Sequence, residues 1–203
     1  MSSDPYTLPL DLPVPVDDGA AAHLTGAILP DLVLPSSQGG VSVRDFDVLY
    51  VDPRTGRPDR PMLPGWDAIP GARGCTPQSC AFRDHRAELA ELGASVAGLS
   101  AQTLEDQVEF AERNHMPFPI ISDEWLELAR DPGLPTFEVE GLTLYKRLAL
   151  ISERGRIVKV FYPVFPPDRN AQDVVDWLEA TRRAERPGSD PGGVRPQQFK
   201  ELR

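Results

Sequence analysis

Short apolar runs alternate with longer amphipathic stretches along the middle of this chain. Two nearly continuous apolar runs, 48–51 and 95–99, are typical of strands buried on both faces of a sheet. Apolar segments that flank polar turns around 36–40 and 153–155 predict two hairpins. Helical periodicity follows both buried runs and returns after Asn170. This order predicts an α/β fold in which helices flank both faces of a mixed central sheet.

Several local signals set the expected ends of these elements. Ser100 or Thr103 is expected to cap the helix that follows the second buried run. The segment 118–123 is expected to form a short edge strand, where its internal proline is tolerated. Asn170 is expected to cap the last helix, whose apolar face should pack on the sheet.

Proline-rich and glycine-rich segments divide the chain. Residues 1–26 are expected to form an extended N-terminal arm, and apolar residues that alternate between 8 and 14 favour an arm that lies on the domain. A domain is expected over 27–185, with an inserted loop at 54–73 that is either a surface insertion or a cover for the reactive site. Residues 186–203 are expected to be a flexible tail.

Charge and cysteine content narrow the possible functions. The formal net charge is −10 and there is no basic stripe, so nucleic-acid binding is not expected. No apolar run approaches the length of a membrane span, and residues 1–18 lack the basic charge of a secretory signal.

Two cysteines do not make a disulfide framework. A close pair in a chain expected to be cytoplasmic indicates redox or metal chemistry.

Both cysteines of the chain, Cys75 and Cys80, lie in one segment at the start of a predicted helix. Thr76 is expected to cap this helix and Pro77 to occupy its first position. Cys75 then lies at the positive end of the helix dipole and beside Arg73. Both features favour the thiolate over the thiol.

The spacing of the two cysteines limits how they can pair. Residues five apart in an unbroken helix are separated by about 7.5 Å along its axis, whereas a disulfide needs Cα atoms roughly 4.4–6.8 Å apart. A Cys75–Cys80 disulfide therefore requires the first helical turn to open. Spacing alone leaves open two alternatives to such a redox pair. The cysteines could be structural, or they could form a metal site completed by His85 or His115.

The segment 74–84, with the sequence GCTPQSCAFRD, resembles the active-site signature of the peroxiredoxin Q, or bacterioferritin comigratory protein, family. The order of elements agrees with that family over residues 29–178. The resemblance implies a thioredoxin-like fold and a peroxidase that reduces hydrogen peroxide and organic hydroperoxides without a cofactor or metal. It also implies that Cys75 attacks the peroxide and that Cys80 resolves the product as an intramolecular disulfide. A thioredoxin-like dithiol would then reduce that disulfide.

An arginine in the first strand of the later hairpin completes the resemblance. The family has an arginine at the start of this strand that points at the peroxidatic sulfur. Arg147 fits this position best, and Lys146 lies one register away. Because the resolving cysteine belongs to the same chain, the protein is expected to be a monomer.

The chain departs from the family in front of Cys75. The family threonine three residues before the cysteine is Ala72 here, and the proline seven before is Ala68. Pro53 and Thr55 could be brought back by the inserted loop, Thr76 could substitute, or backbone amides and an arginine could act alone. The loss of the threonine also leaves open a redox-sensing or thiol–disulfide exchange protein with weak peroxidase activity.

Overall fold

The computed structural model describes residues 4–185, so the expected tail at 186–203 lies outside the described residues. The strands are β1 (Val33–Ser36), β2 (Gly39–Ser42), β3 (Val48–Val51), β4 (Val96–Ser100), β5 (Ile120–Ser122), β6 (Thr136–Val139), β7 (Leu142–Tyr145), β8 (Leu148–Glu153) and β9 (Arg156–Phe161). The α-helices are α1 (Cys75–Asp84), α2 (Arg86–Glu91), α3 (Leu104–Arg113), α4 (Glu127–Arg130) and α5 (Asn170–Glu185).

Seven strands form one mixed sheet in the order β2-β1-β5-β4-β3-β8-β9. The three central strands β3, β4 and β5 are parallel, and the outer neighbours β1, β8 and β9 are antiparallel to theirs. Both runs predicted as buried strands are β3 and β4, so this prediction is confirmed. The prediction that 118–123 forms an edge strand is wrong, because β5 pairs with β4 on one side and β1 on the other. Pro119 precedes the paired residues and therefore costs the sheet no hydrogen bond.

The two faces of β3 belong to two separate cores. Val48 and Tyr50 point into a cluster that contains side chains of α1, α2, α3 and α5, including Phe82. Leu49 and Val51 point into the opposite cluster, which contains Leu128 of α4. The alternation follows from the two-residue period of a strand. The predicted mixed sheet with helices on both faces is thus confirmed.

The N-terminal arm supplies part of the second core. Leu24 is fully buried in it, and Ala21 is nearly so. Just before these residues, Asp18 pairs with Lys146 and accepts a hydrogen bond of 2.6 Å from the Tyr162 hydroxyl. The arm therefore lies on the domain. Its alternating apolar residues do not all pack, however, and Leu10 is fully exposed.

Two helix starts differ from expectation. Gly74, not Thr76, is the N-cap of α1, and its φ of 102° is a left-handed conformation that favours glycine. Asn170 is already helical as the first residue of α5, because a short 3-10 turn at Pro167–Arg169 leads into it. Thr103 caps α3 as predicted, since its hydroxyl accepts from the Asp106 amide at 3.3 Å.

A small hairpin, β6–β7, precedes β8 and was not among the predicted elements. The inserted loop packs against it through Trp66, which is buried and contacts Leu144 in a third small cluster. The Trp66 and Phe137 rings lie 6.4 Å apart. The loop at 54–73 is therefore anchored to the domain on this side.

Within residues 4–185, every helix is too short or too polar to cross a membrane.

Candidate active site

Cys75 is the first residue of α1, and its side chain is only 3% exposed. The sulfur accepts two hydrogen bonds: one from Nη2 of Arg147 at 3.1 Å and one from the backbone amide of Arg54 at 3.3 Å. The amide comes from the chain just after β3, and the guanidinium comes from the residue just before β8. Two neighbouring strands of the sheet and the start of a helix thus converge on one sulfur atom.

Arg147 fixes the geometry around this sulfur. Its guanidinium donates to the carbonyls of Gly71, Ala72 and Arg73 at 3.1, 3.0 and 3.1 Å. It also donates to the side-chain carbonyl of Gln78. The planar fork of an arginine suits this set of acceptors, which a single ammonium group could not reach together. Arg147 therefore holds the end of the inserted loop, the helix start and the sulfur in one arrangement.

Lys146, the alternative one register away, points elsewhere. Its ammonium group pairs with Asp18 of the arm. The residue predicted to face the sulfur, Arg147, is the one that does so.

Arg73 does not act on the sulfur as the sequence suggested. Its side chain is buried and lies 3.4 Å from the Asp67 carboxylate, and it donates to the Thr7 carbonyl at 3.2 Å. The guanidinium also reaches the carbonyl of Asp4. Arg73 therefore links the inserted loop to the arm, and Arg147 is the cation beside Cys75.

Burial dominates the ionisation of Cys75. Loss of solvent, with a smaller contribution from the nearby Asp52 carboxyl, raises the pKa of its thiol to about 12. The Arg147 guanidinium and the Arg54 amide lower the pKa but do not overcome burial. Burial therefore opposes the preference for the thiolate that the helix start predicts.

A backbone amide contacts the Cys75 sulfur in this chain, which lacks the family threonine. Thr55 is buried, but its hydroxyl donates to Gln102 at 2.9 Å, and its amide donates to the same oxygen at 2.7 Å. The adjacent Arg54 amide is the group that reaches the Cys75 sulfur. Of the compensations considered, the pair of a backbone amide and an arginine is the one that contacts the sulfur here.

Cys80 lies in the same unbroken helix as Cys75, and both are free thiols. Its half-buried sulfur lies 4.0 Å from the Asn114 side-chain oxygen at the end of α3. The helix continues through both residues, so the structure has the geometry expected of the reduced, wound form. Closing a disulfide between them requires the first turn of α1 to unwind.

Two buried polar groups near the site were not singled out from the sequence. Gln78 lies between Arg147 and Asn170, donating to the latter at 2.9 Å. Asp52 directly follows β3 and is 4% exposed, with one carboxylate oxygen that has no hydrogen-bond partner among the described residues. The sequence signal for Asp52 was a lone acid at the carboxyl end of a buried strand, the edge of a sheet where reactive groups collect.

A cavity of about 350 Å³ adjoins Arg147. Its lining is mostly apolar and comes from the arm, the inserted loop and the segment after β9. Contributing residues include Val14, Val16, Ile69, Phe137, Arg147 and Val164. An apolar pocket beside a convergent polar group is the usual form of a small-molecule site.

Metal binding receives no support from the described part of the chain. No group of three or more histidine, cysteine, aspartate or glutamate side chains comes together in residues 4–185. The alternative of a site built from both cysteines and a histidine therefore has no ligand set in this region.

The sheet order is that of the thioredoxin-like fold, and a buried cysteine lies at the start of one of its helices. Residues 61–176 match the model of the Redoxin family, which covers more than half of the chain. The chain therefore belongs to the Redoxin family, and within it is similar to peroxiredoxin Q and the bacterioferritin comigratory proteins.

Three comparisons place it more closely. The chloroplastic peroxiredoxin Q of Sedum lineare is 28% identical over 109 residues, which is 54% of this chain and 58% of that protein. The structure of peroxidoxin BcpB from Mycobacterium tuberculosis is 26% identical with a TM-score of 0.62, covering 77% of this chain and 96% of that one. The bacterioferritin comigratory protein of Xanthomonas campestris shares the fold at 21% identity with a TM-score of 0.61, covering 77% of this chain and 98% of that one.

Proposed function

We propose that the protein is a thiol peroxidase in which Cys75 attacks the peroxide. The single observation that carries this proposal is the pair of donors on one sulfur, the Arg147 guanidinium at 3.1 Å and the Arg54 amide at 3.3 Å. Donors fixed in a water-poor site stabilise negative charge that develops on sulfur and oxygen during attack. The membership of the Redoxin family supports the same chemistry.

The reaction begins with sulfur attack on the terminal oxygen of the peroxide. A sulfur–oxygen bond forms, the O–O bond breaks, and water or an alcohol leaves. Cys75 is then a sulfenic acid. Arg147 holds the reacting atoms in line, since its guanidinium is fixed by three carbonyls and by Gln78.

Resolution uses the second cysteine. The first turn of α1 opens, and the Cys80 thiol attacks the sulfenic sulfur with release of water, which forms the Cys75–Cys80 disulfide. A thioredoxin-like dithiol reduces this disulfide by exchange and restores the helix. The continuous helix across both residues in the reduced form supports this cycle.

Organic hydroperoxides are substrates as well as hydrogen peroxide. The apolar cavity of about 350 Å³ next to Arg147 supports this proposal, because it has room for an alkyl or aryl group beside the guanidinium that contacts the sulfur. No cofactor takes part in the proposed cycle.

The proposal extends to the oligomeric state and the compartment of the protein. The resolving cysteine lies in the same chain, which supports a monomer. A cysteine pair that cycles between thiols and disulfide supports a reducing compartment such as the cytoplasm.

A second candidate is a redox sensor or thiol–disulfide exchange protein of the same fold. The observation that favours it is the burial of Cys75, which raises the pKa of the thiol to about 12. A neutral thiol is a poor nucleophile, so slow reaction with peroxide would fit this role.

One experiment separates the two candidates. Reduced protein is mixed with one equivalent of hydrogen peroxide, thiol loss is followed by stopped flow, and the product is mapped by mass spectrometry. Rapid loss with a Cys75–Cys80 disulfide is the expected result. Loss at the rate of an ordinary free thiol would contradict the peroxidase and favour the sensor. In Cys75→Ser turnover is lost, and in Cys80→Ser one oxidation occurs without this disulfide.

A further inference from the structure

Residues 4–8 of the arm lie across the start of α1. The Leu8 side chain packs on Gly74, where its Cδ2 would lie 2.9 Å from a Cβ built on the glycine. Pro5 is buried and lines a small cavity that Gly74 and Cys75 also line. We call residues 4–8 the strap. It covers the turn of α1 that carries the reactive cysteine.

Two arginine side chains hold the strap in place. Arg73, the second residue before α1, donates to the Thr7 carbonyl at 3.2 Å and also to the Asp4 carbonyl. Arg113, the last residue of α3, donates to the Tyr6 hydroxyl at 2.7 Å. Its guanidinium carbon lies 5.9 Å from the centre of the Tyr6 ring, within the range of a cation–π contact. The strap is therefore held from two sides, by the chain that leads into α1 and by the end of α3.

These contacts depend on the wound form of α1. A Cys75–Cys80 disulfide requires the first turn to open, and Arg73 and Gly74 lead directly into that turn. Opening it shifts the Gly74 surface on which Leu8 packs and the Arg73 backbone, whose side chain binds two strap carbonyls. A docked strap therefore stabilises the wound helix. The disulfide must weaken the docking by the same free energy, because the two equilibria are linked.

We propose that the strap is docked while both cysteines are thiols and is released when the Cys75–Cys80 disulfide forms. In the cell the oxidant is a peroxide, so this step rests on the proposed function. The Cys80 thiol attacks the Cys75 sulfenic acid, a sulfur–sulfur bond forms, and the thiol proton leaves with the sulfenic hydroxyl as water. Release removes Pro5 from the cavity beside Cys75 and gives a reducing dithiol access to the disulfide.

The test forms the disulfide without a peroxide. Diamide oxidises the two thiols and takes up their two electrons and two protons as its N=N bond becomes a hydrazine, so the reaction does not depend on peroxidase activity. Hydrogen–deuterium exchange, read by mass spectrometry, compares the strap in the thiol and disulfide forms of the full chain. The Tyr6 and Thr7 amides report on the strap, because they donate to Asp4 at 3.1 and 3.3 Å when it is docked.

Exchange in the strap is expected to be at least about 10-fold faster in the disulfide form, because release removes the contacts with both arginines. The reference is the arm segment 24–29, which should exchange equally in both forms. There the amides of Gly26 and Leu29 donate to the carbonyls of Ile157 and Gly155, each at 2.8 Å. Equal exchange of the strap in the two forms overturns the proposal, as does a failure of diamide to produce the disulfide.

A pair of substitutions tests the same linkage from the side of the strap. Leu8→Ser removes the side chain that packs on Gly74 and adds no charge beside the cysteines. In dithiothreitol buffers of defined ratio, the equilibrium constant for the disulfide is expected to rise about 3-fold to 10-fold, in proportion to the apolar contact that is lost. The matched control is Leu10→Ser, at a fully exposed position of the same arm, which should leave the equilibrium unchanged.

The equilibrium measurement has two contrary outcomes. A constant that is unchanged in Leu8→Ser, or shifted towards the thiols, overturns the proposal. Thermal unfolding verifies that both variants fold, and if Leu8→Ser does not, the exchange of the strap in the parent decides alone. A parent that releases its strap with diamide but reacts with hydrogen peroxide no faster than a free thiol supports the release and contradicts only the proposed function.

Discussion

Nη2 of Arg147 lies 3.1 Å from the sulfur of Cys75, although the two residues are 72 positions apart in the chain. The same guanidinium binds the carbonyls of the three residues at 71–73, just ahead of the cysteine. The position of the charge and the path of the backbone into α1 therefore depend on each other. A change at Arg147 is expected to affect both reactivity and the packing of the loop.

Arg147→Lys is expected to lower the rate of Cys75 oxidation by hydrogen peroxide on the order of 100-fold. Lysine keeps the charge but cannot bind the sulfur, Gln78 and three carbonyls at once. Stopped-flow thiol loss measures the effect. The control is Lys146→Gln, which removes a neighbouring charge that pairs with Asp18 instead. Equal rates for Arg147→Lys and the parent would show that charge alone is sufficient.

Features encoded by local pattern were predictable from the sequence. The run at 48–51 forms a strand with the expected limits, and the run at 95–99 forms one shifted by one residue, because continuous apolar residues fit a sheet that is covered on both faces. Arg147 was singled out through the family resemblance, because a cation in an apolar run could by itself equally face water. Its register followed by counting back from the hairpin turn.

Features that depend on tertiary contacts were not predictable. The N-cap of α1 is Gly74 rather than Thr76, because the chain turns there in a left-handed conformation close to Pro167. The hairpin β6–β7 was not predicted, although Glu140 and Gly141 form a turn with positive φ at both residues. The burial that raises the pKa of the Cys75 thiol depends on the whole fold and cannot be predicted from a short segment. The helix dipole can be predicted from such a segment.

Gly74→Ala is expected to destabilise the protein by roughly 2–4 kcal/mol, which denaturant unfolding can measure. An added methyl group would overlap the Pro167 ring and lie 2.9 Å from the Leu8 side chain, at a φ of 102°. The matched control is Gly141→Ala, which has a φ of 76° but open space around the new atom. A similar loss in both variants would mean that backbone conformation, not the contact with Pro167, sets the cost.

Val16→Asp is expected to raise the KM for an aryl or alkyl hydroperoxide at least several-fold, with little change for hydrogen peroxide. Val16 lines the apolar cavity beside Arg147 but is 83% exposed, so the substitution spares the core. A charge there disfavours burial of an apolar substrate group. The control is Leu10→Asp in the same arm, at a fully exposed position that is not part of the cavity lining. Equal effects on both peroxides would contradict a role for the cavity in substrate choice.

Asp52 is expected to make the folded state less stable as the pH rises from about 4 to 6. Its pKa is about 6 when folded and near the ordinary value of 3.8 when unfolded, so the folded state holds more protons across this window. The ionised carboxyl then costs on the order of 3 kcal/mol at neutral pH. Asp52→Asn should be more stable than the parent by about 1–3 kcal/mol at pH 7.5, with no gain at pH 4.

Urea unfolding at both pH values measures this difference. Asp11→Asn, at an exposed position in the arm, serves as the control and should leave the pH dependence unchanged. A stability loss in Asp52→Asn at pH 7.5 would mean that the carboxylate makes favourable contacts that outweigh its burial. A gain would show that the buried carboxylate is kept at a cost to folding.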